Sequence, residues 1–181
     1  MSARATFVLA ALLGCGALFS PALLATTMPE RGPGEVAAAS ELVIEGTVLD
    51  ARVQIAGGRI VTVRTVRVER VLRSASSAAP PPTLSVALPG GIIDGYGQRV
   101  AGTPELEVGG RYVLCLSEAV VLGARTIVGL WQGVWRVATH DELVPFTHAG
   151  PAARRITRGA LFPLLVPTPA PAPVPALGSA P

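Results

Sequence analysis

The strongest constraint on this chain lies between Glu41 and Arg73, where ELVIEGTVLDARVQI and RIVTVRTVRVERVLR flank Gly57-Gly58. From Leu42 the apolar residues recur with a period of two, the signature of a strand rather than a helix. Ile44, Gly46 and Val48 share one face; Val43, Glu45, Thr47 and Leu49 share the other. Two long strands folded back at the glycine pair are expected. A glycine inside a strand marks a bend or a close backbone approach, so Gly46 is expected to do one or the other. In the second strand Val61 and Val63 stand at odd positions, but Val66 and Val68 at even ones. Keeping one apolar face inward through that slip needs an extra residue, which predicts a β-bulge near Arg64-Thr65. Long, bent and bulged strands are what the closure of a small barrel requires.

Around that pair the chain divides simply. Residues 26–38 carry Pro29 and Pro33 and read as a leader, ending in a short helix over Glu35 to Ser40 (EVAAAS) with an acidic first turn. After a proline-stiffened loop, SASSAAPPP, a third strand is expected from Thr83 to Leu88. Pro89 to Pro104 holds five glycines and two prolines in sixteen residues, so regular structure is not expected there. Arg111 to Leu116 reads as a strand buried on both faces, after a Gly109-Gly110 turn. Arg125 to Leu130 and Val134 to Ala138 read as a closing hairpin through Trp131-Gln132-Gly133. The strand pattern stops after Thr139. This gives an all-β domain over 39–139, a C-terminal extension over 140–166, and a Pro/Ala-rich tail over 167–181 whose alternating prolines cannot build a core.

The first 25 residues have a positive start at Arg4, an apolar run and small residues near Ala25, the order of a secretory signal peptide. Two other readings stay open. Leu12-Leu13-Gly14-Cys15 looks like a lipobox, which would make Cys15 a lipidated residue and the protein a membrane-anchored lipoprotein. An uncleaved anchor of about 21 residues would span a bilayer, though Pro21 interrupts it. The protein is accordingly expected to be exported, periplasmic or extracellular, touching a membrane only through this segment. With the signal removed, Cys115 is left without a partner for an intramolecular disulfide, and its setting in RYVLCLSE predicts a buried, inert thiol.

The formal charge of +3 comes with 15 arginines and no lysine, dispersed rather than clustered, and so gives no footprint for nucleic acid. No G-x-S-x-G elbow, H-E-x-x-H or cysteine pair occurs, and the two histidines, His140 and His148, fall after the last expected strand. His140 next to Asp141 is poorly arranged for a base and its orienter, since adjacent strand residues face opposite ways. Glu105 and Glu107 flank a turn, and Glu41, Glu45 and Glu69 take solvent-facing strand positions. No catalytic residue, cofactor or metal is therefore expected. Recognition belongs instead to the long glycine-rich loop and the closing hairpin. The candidate binding residues are Gly90, Gly91, Asp94, Tyr96, Gln98 and Arg99, with Trp131 and Gln132. Trp131 and Trp135 should face opposite ways, one into the core and one outward.

ASELVIEGTV, VRVERVLR, LSVALPGG, GQRVAGTPELEVGGRYVLCL and IVGLWQGVWRV, taken together, resemble a group of uncharacterised exported bacterial proteins over about Ala39 to Val137. Those are in turn distantly similar to netrin-like modules, including the tissue inhibitors of metalloproteinases. The resemblance implies an OB-type five-stranded barrel, and with the strands and helix read above, the fold expected is all-β, an OB-like five- to six-stranded small barrel with one short N-terminal helix. It does not carry over the inhibitory mechanism, which needs a mature N-terminal cysteine held by disulfides. The function expected is an exported non-catalytic binding or interaction module of the cell envelope with a protein or envelope partner. An accessory or regulator of a secreted protease is the alternative, and an unrecognised hydrolase the remote one.

Overall fold

The computed structural model describes residues 29–147, 149–152 and 154–166, without the side chain of Ala119. The signal segment with Cys15, His148 and the Pro/Ala-rich tail lie outside the described residues.

Helix α1 (Pro33–Ala38) starts where proline's fixed φ suits a first turn, and the Glu35 carboxylate accepts the Gly32 N–H at 2.9 Å. It ends as Ser40 Oγ donates to Val36 O at 2.7 Å, having buried Val36 and Ala37. Strands β1 (Leu42–Ala56) and β2 (Arg59–Ser74) form the long antiparallel pair. Gly57 and Gly58 both take positive φ, 55° and 74°, as a tight two-residue reversal requires. Gly46 marks a close approach: a Cβ there would lie 2.5 Å from Arg67 O and 2.7 Å from Val66 Cγ1.

The bulge expected near Arg64-Thr65 is on the other strand. Val48 pairs Val66 and Asp50 pairs Thr65, so Leu49 of β1 is the extra residue. Two further irregularities, between Val43 and Ile44 and between Glu45 and Gly46, leave Leu72 and Glu69 extra on β2. From Val61 to Arg67 β2 keeps an unbroken register against the next strand. Its phase slip has another cause. Val66 and Val68 face the main core, whereas Val61 and Val63 cover the opposite face with Ala87 and Ala124. Both faces are apolar, at different heights.

Strand β3 (Thr83–Pro89) pairs β2. A small hairpin of β4 (Gly91–Ile93) and β5 (Tyr96–Gln98) follows where no regular structure was expected. Its turn explains the miss: Asp94 (φ 50°) and Gly95 (φ 79°) form the Asp-Gly reversal that favours hairpins, hidden among the other glycines. Strand β6 (Arg111–Val121) pairs β1 from Leu42↔Leu116 to Thr47↔Arg111. Strand β7 (Ala124–Ile127) pairs β6 antiparallel and β3 parallel. The pairings β1–β2–β3–β7–β6–β1 thus close into a ring.

The expected closing hairpin does not form. A 3₁₀ turn (Leu130–Gly133) redirects the chain, and β8 (Val134–Val137) pairs β6 at Tyr112, Val113 and Leu114 instead of β7. Nor does the strand pattern stop at Thr139. Strand β9 (Glu142–Thr147) adds to β8, with the two-residue strands β10 (Gly150–Pro151) and β11 (Ile156–Thr157) against it. Helix α2 (Arg158–Leu165) follows, capped by Thr157, whose hydroxyl accepts the Ala160 N–H at 3.3 Å.

Alternation on β1 and β6 then sorts the core. Ile44, Val48, Tyr112, Leu114 and Leu116 fill the ring interior with Val66, Val86 and Leu88. Val43, Val113 and Cys115 point outward and are covered by α1, α2, Trp135 and Leu143. This double covering is why RYVLCL reads as a continuous apolar run.

Candidate functional site

The hairpin β4–β5 projects from the ring and is firmly tied at its base. The Gly90 N–H donates to Ile60 O at 2.8 Å, and Thr62 Oγ1 donates to Gly90 O at 2.7 Å. Gln98 Oε1 accepts the Ile60 N–H at 2.8 Å, and Thr103 Oγ1 donates to Pro89 O at 3.2 Å. Gly90 (φ 96°) and Gly91 (φ 143°) let the chain pass close: a Cβ would lie 2.6 Å from Gln98 O at the first and 2.6 Å from Thr62 Oγ1 at the second. These three candidate residues, Gly90, Gly91 and Gln98, therefore hold the hairpin in place.

What the hairpin presents is different. Ile92 is 73% exposed and Tyr96 is 77% exposed, with Asp94 at the turn and Arg99 in the open just beyond. Below it runs a cleft of about 520 Å³, walled by the hairpin and by β2 and β3. Arg64 and Arg99 line it, Glu105 sits at its wall, and Leu88, Ile92 and Val100 make its apolar side.

Trp131 and Gln132 do not join this surface. Trp131 is partly buried against the ring interior with its indole beside Gly102, and its backbone N–H donates to Gly102 O at 3.1 Å. Trp135 is 3% exposed and packs in the outer cluster. The two do face opposite ways, but both face apolar clusters. Gln132 is buried: Oε1 accepts the Arg31 N–H at 2.7 Å and Nε2 donates to Pro29 O at 3.1 Å. It clasps the leader to the domain.

A second polar cluster was not expected. Glu45, read as a solvated surface carboxylate, is 3% exposed. Both Nη atoms of Arg158 donate to its two oxygens, one at 2.8 Å, and Arg111 Nε donates at 2.8 Å. The hydrogen bonds from Arg158, outweighing desolvation, hold the carboxyl below the ordinary glutamate value, and Arg111 adds to this. Arg158 also lies 5.3 Å from the Phe162 ring centroid, and Arg70 lies 5.6 Å from it. The cluster pins α2 to β1. Its basis is visible only once Arg158 is known to sit on a helix over that face.

His140 and Asp141 are exposed, and Glu107 pairs Arg136 at 2.9 Å. Among the described residues no three His, Cys, Asp or Glu side chains converge on a common point. Burial pushes the Cys115 thiol up to about 12. Arg64 and Ile92 also line the cleft beneath the hairpin, and neither is among the candidate binding residues read from the sequence. The signal for Arg64 was present, because the parity that points Val66 and Val68 inward points residue 64 inward too. No protein-family model matches the chain, and a search of curated proteins returns no match.

Proposed function

We propose that the chain is an exported, non-catalytic interaction module of the bacterial cell envelope, carried on an OB-like five-stranded barrel. The closed order β1–β2–β3–β7–β6–β1 with β3 and β7 parallel supports the barrel, being compatible with a five-stranded Greek-key ring. The observation that carries the interaction reading is the β4–β5 hairpin, tied by four hydrogen bonds at its base yet holding Ile92 and Tyr96 out in solvent. Apolar and aromatic side chains on a rigid projection pay little ordering entropy when a partner covers them.

The buried ionisable groups point the same way. Glu45 is spent on two arginines, and the Cys115 thiol stays protonated near neutral pH, so neither offers a base or nucleophile. The test is to pass envelope extracts over the immobilised chain and over an Ile92→Asp/Tyr96→Ser variant. A partner held by the first and lost from the second is expected. Retention by both, or by neither, sinks the reading.

A further inference from the structure

The cleft beneath the β4–β5 hairpin holds more positive charge than the described residues pair. Arg64 and Arg99 line it, and neither has a hydrogen-bond or ion-pair partner among the described residues. Arg64 stands in the register of β2 that faces the ring interior, paired with Ala51 on one side and Val86 on the other. Its Nε is shut off from solvent with no acceptor. Arg158 Nε lacks an acceptor too, but its Nη atoms are held by Glu45. Arg111 is likewise answered by Glu45, Arg73 by the carbonyls of Ala37 and Ser40, and Arg125 by Ser117 O, whereas Arg64 has no such partner among the described residues.

The acids that could answer Arg64 are otherwise placed. Asp50 feels its charge but is half exposed and already held by the Ala51 N–H and Arg52. The Tyr112 hydroxyl, also in its field, accepts the Glu107 N–H at 2.9 Å. Glu105, exposed in the cleft wall, pairs with neither arginine. A partly desolvated guanidinium without a counter-charge costs free energy that an anion bound beside it returns. A guanidinium's planar fork fits a carboxylate. The cleft is of ligand size, and Leu88, Ile92 and Val100 give it an apolar wall beside the charge.

We propose that this cleft binds a carboxylate carried on an apolar body, with Arg64 and Arg99 on the carboxylate and Leu88, Ile92 and Val100 against the body. The proposal rests on the reading of the hairpin as the interaction surface. Two sources offer this chemistry: the free C-terminus of a peptide ending in aliphatic residues, and a medium-chain fatty acid.

The test is calorimetric titration of the full chain with N-acetyl-Ala-Val-Val as the free acid, with its C-terminal amide, and with octanoate. Binding of the acid or of octanoate is expected, with the amide weaker by about 10-fold or more. Arg64→Gln and Arg99→Gln should each weaken binding by about 10-fold. Arg52→Gln, outside the cleft, should leave it unchanged. Binding by the peptide acid alone assigns the source to a peptide terminus, and by octanoate alone to a fatty acid. Arg99 is exposed, so its variant tests the site even if Arg64→Gln unfolds. Equal binding of acid and amide, or no binding of any probe up to about 1 mM, overturns the proposal. If that happens while the Ile92→Asp/Tyr96→Ser variant still loses its envelope partner, the ligand class alone falls.

Discussion

Replacing Glu45 by Gln tests the pin between α2 and β1 most directly. The substitution keeps shape and removes one charge. The Glu45 side chain is 4% exposed and that of Arg158 12%, so the pair is buried on both sides. After the change, Arg158 faces one amide oxygen and one amide NH₂, while its Nε already lacks an acceptor. Arg111 keeps a contact to Glu69 at 3.4 Å and loses less. Breaking a buried pair from one side costs about 3–5 kcal/mol, because the remaining charge stays desolvated. Helix α2 has only eight residues and could let Arg158 swing toward solvent, which favours the lower figure, about 3 kcal/mol. At about 2–4 °C per kcal/mol for a chain of this size, melting should fall by about 6–12 °C. Urea denaturation followed by circular dichroism gives the free energy. Replacing both partners, Glu45→Leu with Arg158→Met, should recover most of the loss, since an apolar pair of similar volume needs no counter-charge. A loss below about 1 kcal/mol for Glu45→Gln, or a double variant no better than the single, would refute the reasoning.

Other outcomes follow from the same packing. Because Arg158 and Arg111 depress the Glu45 carboxyl, its contribution is complete above the ordinary value of 4.5 and lost as pH falls through the lower folded value. Acid melting should therefore be steeper for the native chain than for Glu45→Gln, and parallel curves below pH 4.5 would contradict this. With its thiol near 12 and 0% exposed, Cys115 should resist iodoacetamide at neutral pH until denaturant is added, as mass spectrometry would show. Gly46→Ala forces a methyl to within 2.5 Å of Arg67 O and should cost about 1–3 kcal/mol by urea titration, a neutral result counting against the close approach. Ending the chain at Thr139 should uncover Trp135, Val113 and Cys115, giving strong dye binding by exposed apolar surface; a monomeric, dye-silent fragment would show that residues 140–166 are dispensable.

The sequence displays the elements whose signals are local. Strands β1 and β2, the glycine reversal, the close approach at Gly46 and the doubly buried β6 can all be read from alternation and punctuation. Contacts made by partners distant in the chain cannot. The Val61/Val63 slip suggested a bulge because alternation alone does not say that the outer face of β2 is covered by Ala87 and Ala124. Glu45 sits in an alternating strand like any surface carboxylate, and its burial depends on a helix more than a hundred residues later. Gln132 looks like a loop residue until residues 29–31 are laid across it. In the candidate site the glycine-rich stretch was visible as a loop between strands. Its Asp-Gly turn and inward-facing Arg64 needed the register of neighbouring strands to be seen.

The ring has a consequence for the order of events in folding. The β1–β2 hairpin can form as soon as Arg73 is free, because its turn is local. The other edge of β1 waits for Arg111 to Leu116, and its outer face waits longer still, for Leu161 and Leu165. Pairings this far apart carry a loop-closure cost before any contact repays it, which slows folding. An unfinished chain therefore carries an open strand edge and an apolar face until nearly its last described residues arrive. Folding should complete late, when α2 covers the outer face of a ring whose own pairings lie earlier in the chain.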